Sequence, residues 1–263
     1  MVRRLKRPAV LLAALCFGAL TLAHAAAQTA WTVVQPGLET AVILLPNSGG
    51  VPLLVVRIDP TRFVFRIQAR PGELLDGAAW GRMTPGAVAF INANFYDAER
   101  QAVGLLVADG ILLALPLAGR GGVLAIERGR VDVRAIHDTG AVERLEQAAQ
   151  GYPMLVRDGV GVYAAARALD PAALRSAAAI DADGHILLIG TMGIGVSLSD
   201  LSQNLPLTGL GIVNAVNLDG GGSALLAVKS SFAPAGEAGS TPVILAVYPA
   251  PDGTLCRALG NRC

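Results

Sequence analysis

Histidine and cysteine are scarce in this chain of 263 residues, which holds three of each. One of each lies in the first 27 residues, so the remaining histidines are His137 and His185, in separate segments. A Ser-His-Asp triad would have to use one of these two. Ser223 does not fit a nucleophile elbow either, because Leu225 stands where that motif needs glycine. Zinc sites made of several histidines and cysteines are excluded by the same scarcity.

Charged residues are also sparse, at 16% of the chain. The first 27 residues hold four of the 21 basic residues and none of the 20 acidic ones, so residues 28–263 carry a formal charge of −3. A nucleic-acid-binding surface, or a face for anionic membranes, needs an excess of basic residues. We therefore expect neither among the partners of this protein.

The N-terminal residues have the pattern of a secretory signal peptide. Four basic residues precede an apolar run at 9–22, and Ala25 and Ala27 form an A-x-A cleavage site. The run is shorter than the roughly 20 residues of a membrane-spanning helix, which argues against an uncleaved anchor. We predict a signal peptide at 1–27, a domain at 28–263, a periplasmic or secreted location, and no stable membrane span after cleavage.

Two cysteines, Cys256 and Cys263, remain after signal cleavage. An even pair in an oxidising compartment typically forms a disulfide, which here would close a small loop at the C-terminus. A redox or metal-binding pair is disfavoured, because the spacing is not C-x-x-C and no histidine lies nearby.

Short apolar runs separated by turn residues dominate the rest of the chain and predict β-strands. Several runs have Asp-Gly or Arg-Gly at the centre, which is typical of tight hairpins. The "DADG" sequence at 181–184 is interpreted as such a turn, since it lacks the later acidic ligands of a calcium loop. Helical patterns occur at 140–151, at 197–205 and just after Pro171. We predict a strand-rich α+β single domain with a mixed, mainly antiparallel sheet and few helices.

The "INANFYD" segment (91–97) combines amides, aromatics and a carboxylate at a strand end. Asn92 and Asn94 alternate with apolar residues, so both carboxamides can lie on one face of the strand, where they suit sugar hydroxyls. The alternative is that they close their own turn. Asp97 would be a general acid or base if it is buried, and otherwise a cap for the next turn.

Arg175 and the segment "VNLDGGGSALL" (216–226) form a second polar group. Arg175 is surrounded by small apolar residues and needs an anionic partner, either a ligand phosphate or carboxylate or a structural residue such as Asp181. A predicted strand delivers Asp219, and the glycines that follow can present backbone N–H groups to an anion. The alternative is a tight glycine corner that Asp219 caps.

Five motifs in order resemble the phosphodiester glycosidase family: "INANFYD", "GLLVADG", "GYPMLVRDG", "RSAAAID" and "VNLDGGGSALL". They span roughly 88–228, and the Asp-Gly-Gly-Gly-Ser motif is the most specific. Two departures, alanines at 178–179 and no proline in "ERQAVG", concern substrate choice more than competence.

The resemblance implies a groove that hydrolyses a glycosyl phosphodiester, with a carbohydrate or sugar phosphate as the substrate. The expected catalytic residues are Asp219, then Asp97, with Arg175 on the phosphate. The expected substrate-binding residues are Asn92, Asn94, Tyr96, Gly220, Gly221, Gly222 and Ser223. No cofactor is expected, and a divalent cation is left open. The rival interpretations are a glycan-binding envelope module, an envelope scaffold protein, and hydrolysis at phosphorus.

Overall fold

The computed structural model describes residues 29–229 and 239–251. The predicted signal peptide and the predicted Cys256–Cys263 disulfide lie outside the described residues, so both stay predictions. Among the described residues, no helix is long and apolar enough to cross a membrane.

Strands make up most of the regular structure. The first twelve strands are β1 (Thr32–Gln35), β2 (Leu38–Leu44), β3 (Pro52–Ile58), β4 (Phe63–Ala69), β5 (Leu75–Asp76), β6 (Ala89–Asn92), β7 (Phe95–Tyr96), β8 (Ala102–Val103), β9 (Leu106–Ala108), β10 (Ile111–Ala114), β11 (Gly122–Glu127) and β12 (Arg130–Ala135). The other nine are β13 (Leu145–Gly151), β14 (Met154–Arg157), β15 (Val160–Gly161), β16 (Ser176–Asp181), β17 (Ile186–Thr191), β18 (Ile212–Asn217), β19 (Leu226–Val228), β20 (Ser240–Thr241) and β21 (Val243–Pro249).

Helices are few and short. The two α-helices are α1 (Gly77–Met83) and α2 (Leu198–Asn204). Single 3₁₀ turns occur at Ile136–Asp138, Val142–Arg144, Arg167–Leu169, Leu205–Thr208 and Gly221–Ser223. Strands hold 46% and helices 14% of the described residues. The predicted strand-rich class with few helices is therefore confirmed, but the protein is more strongly β than an α+β description implies.

The strands form three main sheets, and every pairing recorded between them is antiparallel. The strand orders are β1-β2-β3-β17-β16-β18-β14-β15, β10-β9-β13-β11-β12 and β19-β6-β21-β4, and two two-stranded ribbons complete the described residues. Strands β18 and β6 end at Asn217 and Asn92 in different sheets. The functional candidates lie where these two sheet ends meet.

The core surrounds the eight-stranded sheet on both faces. Strand β16 shows why: Ala178 packs into the largest apolar cluster, whereas Ala177 and Ala179 pack into a second cluster that includes Leu201 of helix α2. Successive side chains of a strand point to opposite faces, so an alanine-rich strand with two apolar faces becomes a central strand. Close packing here fixes the position of the segment that begins with Arg175.

The predicted helix at 140–151 is wrong: this segment is a 3₁₀ turn followed by the buried strand β13. The segment has a high helix propensity, but tertiary hydrogen bonds of two buried glutamines stabilise the strand instead. Gln147 accepts the Ile67 N–H at 3.0 Å, and Gln150 accepts the Leu105 N–H at 2.8 Å. Burial of these carboxamides is stable only where strand geometry delivers those partners.

The other helical predictions had mixed outcomes. Helix α2 is confirmed, and Ser197 caps it by accepting the Asp200 N–H at 3.0 Å. No helical turn follows Pro171; Ala173 instead forms a bridge with Val196. Helix α1 was not predicted, although Asp76 caps it in the ordinary way.

The Asp-Gly hairpins are confirmed. Asp109–Gly110 joins β9 to β10 and Asp158–Gly159 joins β14 to β15, and all four residues have positive φ. Paired positive φ values are characteristic of the two-residue turns that match strand twist.

Candidate active site

Asp219 lies just past the end of β18 and is held there by the end of β6. Its backbone N–H donates to the Ala93 carbonyl at 3.1 Å, and its carbonyl accepts the Asn92 side-chain N–H at 2.6 Å. The backbone N–H and the carbonyl of Asp219 are therefore both hydrogen-bonded to residues at the end of β6, so the carboxylate side chain projects from a rigid backbone.

Asn92 and Asn94 are completely buried, so neither presents an exposed carboxamide to a sugar. Besides its bond to Asp219, Asn92 accepts the Leu225 N–H at 2.9 Å and so spans the whole glycine segment. Asn94 donates to the carbonyls of Gly104 and Leu105 at 3.2 and 3.1 Å. In this structure both amides brace backbone that is distant in sequence, which differs from the alternative that they close their own turn.

Two of the three glycines in the 220–222 run meet a specific backbone requirement, and the third does not. A Cβ on Gly220 would lie 2.7 Å from the Leu174 carbonyl oxygen and 3.7 Å from Cδ of Arg175. Gly221 has a φ of +60°, and a Cβ on Gly222 would meet nothing within 4 Å. Gly220 thus lets the Asp219 loop lie directly against the Arg175 segment, and Gly221 supplies a left-handed turn.

Most of the backbone N–H groups of this loop are already used, so the predicted concavity of successive free donors is not formed. Gly220 donates to Asp219 Oδ1 at 2.8 Å, Gly221 to the Leu174 carbonyl at 2.8 Å, and Ser223 to the Gly220 carbonyl at 3.1 Å. Gly222 alone in the loop has an N–H without a partner among the described residues. The loop therefore offers one backbone donor instead of a ring of them.

The Asp219 carboxylate is half-buried within a short chain of polar groups. Burial raises the pKa of Asp219, while hydrogen bonds from the Ser223 hydroxyl and the Gly220 N–H oppose that rise. The Ser223 hydroxyl also lies 3.2 Å from the Tyr96 hydroxyl. An ionised carboxylate can only accept hydrogen bonds, and the Ser223 hydroxyl has a single proton to donate. The consistent arrangement therefore has the Tyr96 hydroxyl donate to Ser223 and the Ser223 hydroxyl donate to the Asp219 carboxylate.

Arg175 is held in place through part of its guanidinium group. Nε donates to the Val196 carbonyl at 3.0 Å and Nη2 to the Pro171 carbonyl at 2.7 Å. Nη1 has no partner among the described residues, although the side chain is only 13% exposed. Burial lowers the pKa of Arg175 against the opposing effect of Asp170, and arginine stays protonated in this environment.

The carboxylate nearest to Arg175 is Asp170, at 3.9 Å from Nη2, and not the suggested Asp181. Asp170 is committed elsewhere, because it accepts the backbone N–H groups of Leu198 and Ser199 at 2.8 and 2.7 Å. Its charge therefore compensates Arg175 only in part. Asp170 is distant in sequence from helix α2, so the sequence did not reveal these partners.

Asp97 is exposed and closes the β7–β8 hairpin by accepting the Gln101 N–H at 2.7 Å. The burial on which its predicted acid–base role depended is absent. Its neighbour Tyr96 reaches the Asp219 network, so the segment borders the site while the Asp97 carboxylate serves the turn.

Two further features lie outside the Asp219 loop: a cavity near Arg175 and a group of potential metal ligands at the β16–β17 turn. A cavity of about 560 Å³ is lined in part by Asp170, Pro171 and Val196, which contact Arg175, but Arg175, Asp219 and the glycine run do not line it. Ligand atoms of Asp181, Asp183 and His185 lie within 4.8 Å of one another at the β16–β17 turn. Asp181 is engaged there with the ring and backbone of His185, as the hairpin interpretation expects.

The backbone of the loop that carries the half-buried Asp219 carboxylate lies against the segment of Arg175, whose charge is only partly compensated. The chain belongs to the phosphodiester glycosidase family, whose model matches residues 85–248. This is a family of glycosidase-type hydrolases, and the resemblance found in the sequence is confirmed. The matched region contains β6, Arg175 and the glycine segment.

Solved structures of low sequence identity share the fold. A hypothetical protein from Synechocystis matches with a TM-score of 0.66 and 15% identity, over 84% of this chain and 64% of that one. The catalytic domain of zebrafish N-acetylglucosamine-1-phosphodiester alpha-N-acetylglucosaminidase, auto-inhibited by its pro-peptide, matches with a TM-score of 0.63 and 19% identity, over 85% and 87%. No curated protein sequence matched this chain.

Proposed function

We propose that this protein is an exported hydrolase that cleaves the bond between a sugar and the phosphate of a glycosyl phosphodiester in envelope or extracellular glycans. One observation carries the proposal: Gly220 lets the backbone of the Asp219 loop lie against the segment of Arg175, which brings a carboxylate and a basic side chain onto neighbouring segments. Membership of the family supports the type of reaction. Export rests on the signal-peptide pattern of residues 1–27.

Arg175 is proposed to bind the phosphodiester. Its two bonds to carbonyls fix the plane of the guanidinium, and the free Nη1 supplies donors for a phosphate oxygen. The exposed Gly222 N–H adds a neutral donor from the loop. These donors stabilise the negative charge that the phosphate gains as the bond to the anomeric carbon breaks.

Asp219 is proposed to act at the anomeric carbon, either as the nucleophile or as the base that takes a proton from water. In both cases the oxygen of water ends on the sugar, the C1–O bond breaks, and the phosphate leaves as a monoester. A phosphate is a good leaving group, so one carboxylate can suffice where ordinary glycosidases use two. Tyr96 and Ser223 keep the ionised carboxylate oriented through their hydrogen bonds.

The buried amides are proposed to position the site instead of binding sugar hydroxyls. Asn92 joins the Asp219 carbonyl to the Leu225 N–H, and Asn94 fixes the start of the segment around Gly104. Removing either amide would displace the carboxylate without removing a direct substrate contact.

The test is a screen of the purified mature protein on sugar-1-phosphodiesters, with Asp219→Asn and Asp97→Asn as a matched pair. Asp219→Asn is expected to lower kcat/KM by on the order of 10³-fold, and Asp97→Asn far less, because Asp97 only closes a hairpin. The opposite pattern would transfer the catalytic role to Asp97. Repeating the assay with a chelator decides whether a divalent cation takes part.

The rival function is a glycan-binding module without catalysis. Calorimetric binding of the same sugar phosphodiesters without turnover, unchanged in Asp219→Asn, would establish the module and overturn the enzyme proposal. The half-burial of Asp219, which raises the pKa of its carboxyl group, and its braced backbone favour catalysis, since binding a neutral glycan does not require a half-buried carboxylate.

A further inference from the structure

Two tyrosines form an exposed aromatic pair beside the candidate site. The ring centroids of Tyr152 and Tyr163 are 6.4 Å apart with an interplanar angle of 82°, an edge-to-face contact. Tyr152 is 44% exposed, which is unusual for an aromatic side chain that already packs against another ring. Neither hydroxyl bonds to any described residue, so the pair is available to a ligand.

The pair is fixed relative to Asp219. The Tyr152 carbonyl accepts the Asn217 side-chain N–H at 2.7 Å, and the Pro153 carbonyl accepts the Asn217 backbone N–H at 2.9 Å. Gly151 lies so close that a Cβ would come within 2.1 Å of the Asn217 carbonyl oxygen. Asn217 precedes Asp219 by two residues, or about 7 Å of extended chain.

Tyr163 lies on the Arg175 side of the pair. Its backbone N–H donates to Ser202 of helix α2 at 2.9 Å, which places it along the helix that Asp170 caps. Burial raises the pKa of Tyr163, as does the charge of Asp170, and Arg175 acts in the opposite direction. Helix α2 thus links Tyr163 to Asp170, which lies 3.9 Å from Nη2 of Arg175.

We propose that Tyr152 and Tyr163 form a subsite for the alcohol part of the substrate and select a phosphodiester whose alcohol carries a sugar or aromatic ring. This rests on the proposed function, in which the phosphate sits on Arg175 and the sugar at Asp219. A ring on the far side of the phosphate then reaches the exposed face of Tyr152. Both the C–H face of a pyranose and an aromatic ring stack on such a surface, and a linear alcohol does not.

The experiment uses product monoesters, so that it does not depend on turnover. Calorimetry measures binding of glucose 6-phosphate, phenyl phosphate and glycerol 3-phosphate to the mature protein and its variants. At least one ring phosphate is expected to bind about tenfold more tightly than glycerol 3-phosphate. The ring that does so identifies the alcohol as a sugar or an aromatic compound.

Variants connect that preference to the tyrosines. Tyr152→Ala and Tyr163→Ala should each reduce the ratio to below about threefold, and Tyr152→Phe should keep it, because stacking needs the ring and not the hydroxyl. Ile111→Ala, at an apolar side chain that is 64% exposed on β10, is the control and should keep the full ratio. Thermal melts show that each variant is folded.

The outcomes separate this subsite from the proposed function. Equal binding of ring and linear phosphates, no phosphate binding at all, or a ratio unchanged in both alanine variants would overturn the subsite. Turnover of a methyl phosphodiester together with equal binding would leave the enzyme proposal standing. A tyrosine-dependent ring preference without any turnover would support the subsite and contradict the hydrolase.

Discussion

Alanine substitutions along the Gly220–Gly222 run should have three different effects on stability. In Gly220→Ala the new Cβ would lie 2.7 Å from the Leu174 carbonyl oxygen, so the two backbones must separate by about 0.5 Å. Overpacking of this kind costs about 1–3 kcal/mol. Weakening the bond from the Gly221 N–H to Leu174, now 2.8 Å, adds about 1 kcal/mol.

Gly221→Ala and Gly222→Ala serve as references for the loss of stability expected in Gly220→Ala. Gly221→Ala meets no atom within 4 Å but has a φ of +60°, so it should cost about 1–2 kcal/mol. Gly222→Ala has neither problem and should change the free energy of unfolding by less than about 0.5 kcal/mol. The first substitution alone moves Asp219 away from Arg175, so it should also lower kcat/KM by about 10–100-fold.

Urea denaturation of the three variants, each with the same one-carbon addition, measures the series directly. The expected order of stability is Gly222→Ala, then Gly221→Ala, then Gly220→Ala. If Gly220→Ala proved as stable as Gly222→Ala, the close approach between the Asp219 loop and the Arg175 segment would not exist, and the argument that they share a site would fail.

Four further predictions concern the groups around Asp219. Asn92→Ala leaves the Asp219 carbonyl and the Leu225 N–H unpaired, so denaturation should show a loss of about 2–5 kcal/mol, and kinetics a larger change in kcat than in KM; wild-type kcat would contradict the bracing role. Arg175→Lys keeps the positive charge but loses the planar guanidinium and its paired N–H donors, so kcat/KM should fall about 10–100-fold, mainly through a higher KM. Full activity of this variant would exclude phosphate binding by the guanidinium. Because burial raises the pKa of Asp219, the acid limb of kcat/KM should lie above 3.8, the ordinary value, and a limb below it would be inconsistent with that burial. The stabilising effect of protonation is lost as pH rises through the raised pKa, so Asp219→Asn should melt no lower than wild type at pH 7.

The strand pattern and hairpin turns could be predicted because they depend on neighbouring residues. Asp109–Gly110 and Asp158–Gly159 each adopt paired positive φ values between adjacent strands, and helix α2 carries its own cap in Ser197. The 140–151 segment could not be predicted this way. Its strand depends on Ile67 and Leu105, which are distant in sequence.

The members of the candidate site were partly predictable, but their roles were not. The sequence places Asp219, Arg175 and Tyr96 in motifs, and the structure gathers Asp219 with Tyr96 and sets the loop against Arg175. The burial of Asn92 could not be foreseen, because it depends on contacts between two different sheets. The glycine run was interpreted as an anion cradle, whereas its N–H groups mostly hold the loop itself together.

Hydrolysis in ¹⁸O-labelled water tests the central claim most directly. The mature protein is incubated with a sugar-1-phosphodiester that it turns over, and mass spectrometry locates the label in the two products. Attack at the anomeric carbon, assisted by Asp219, places ¹⁸O on the sugar and leaves the phosphate monoester unlabelled. Label on the phosphate would mean cleavage at phosphorus and would contradict the role given to Asp219.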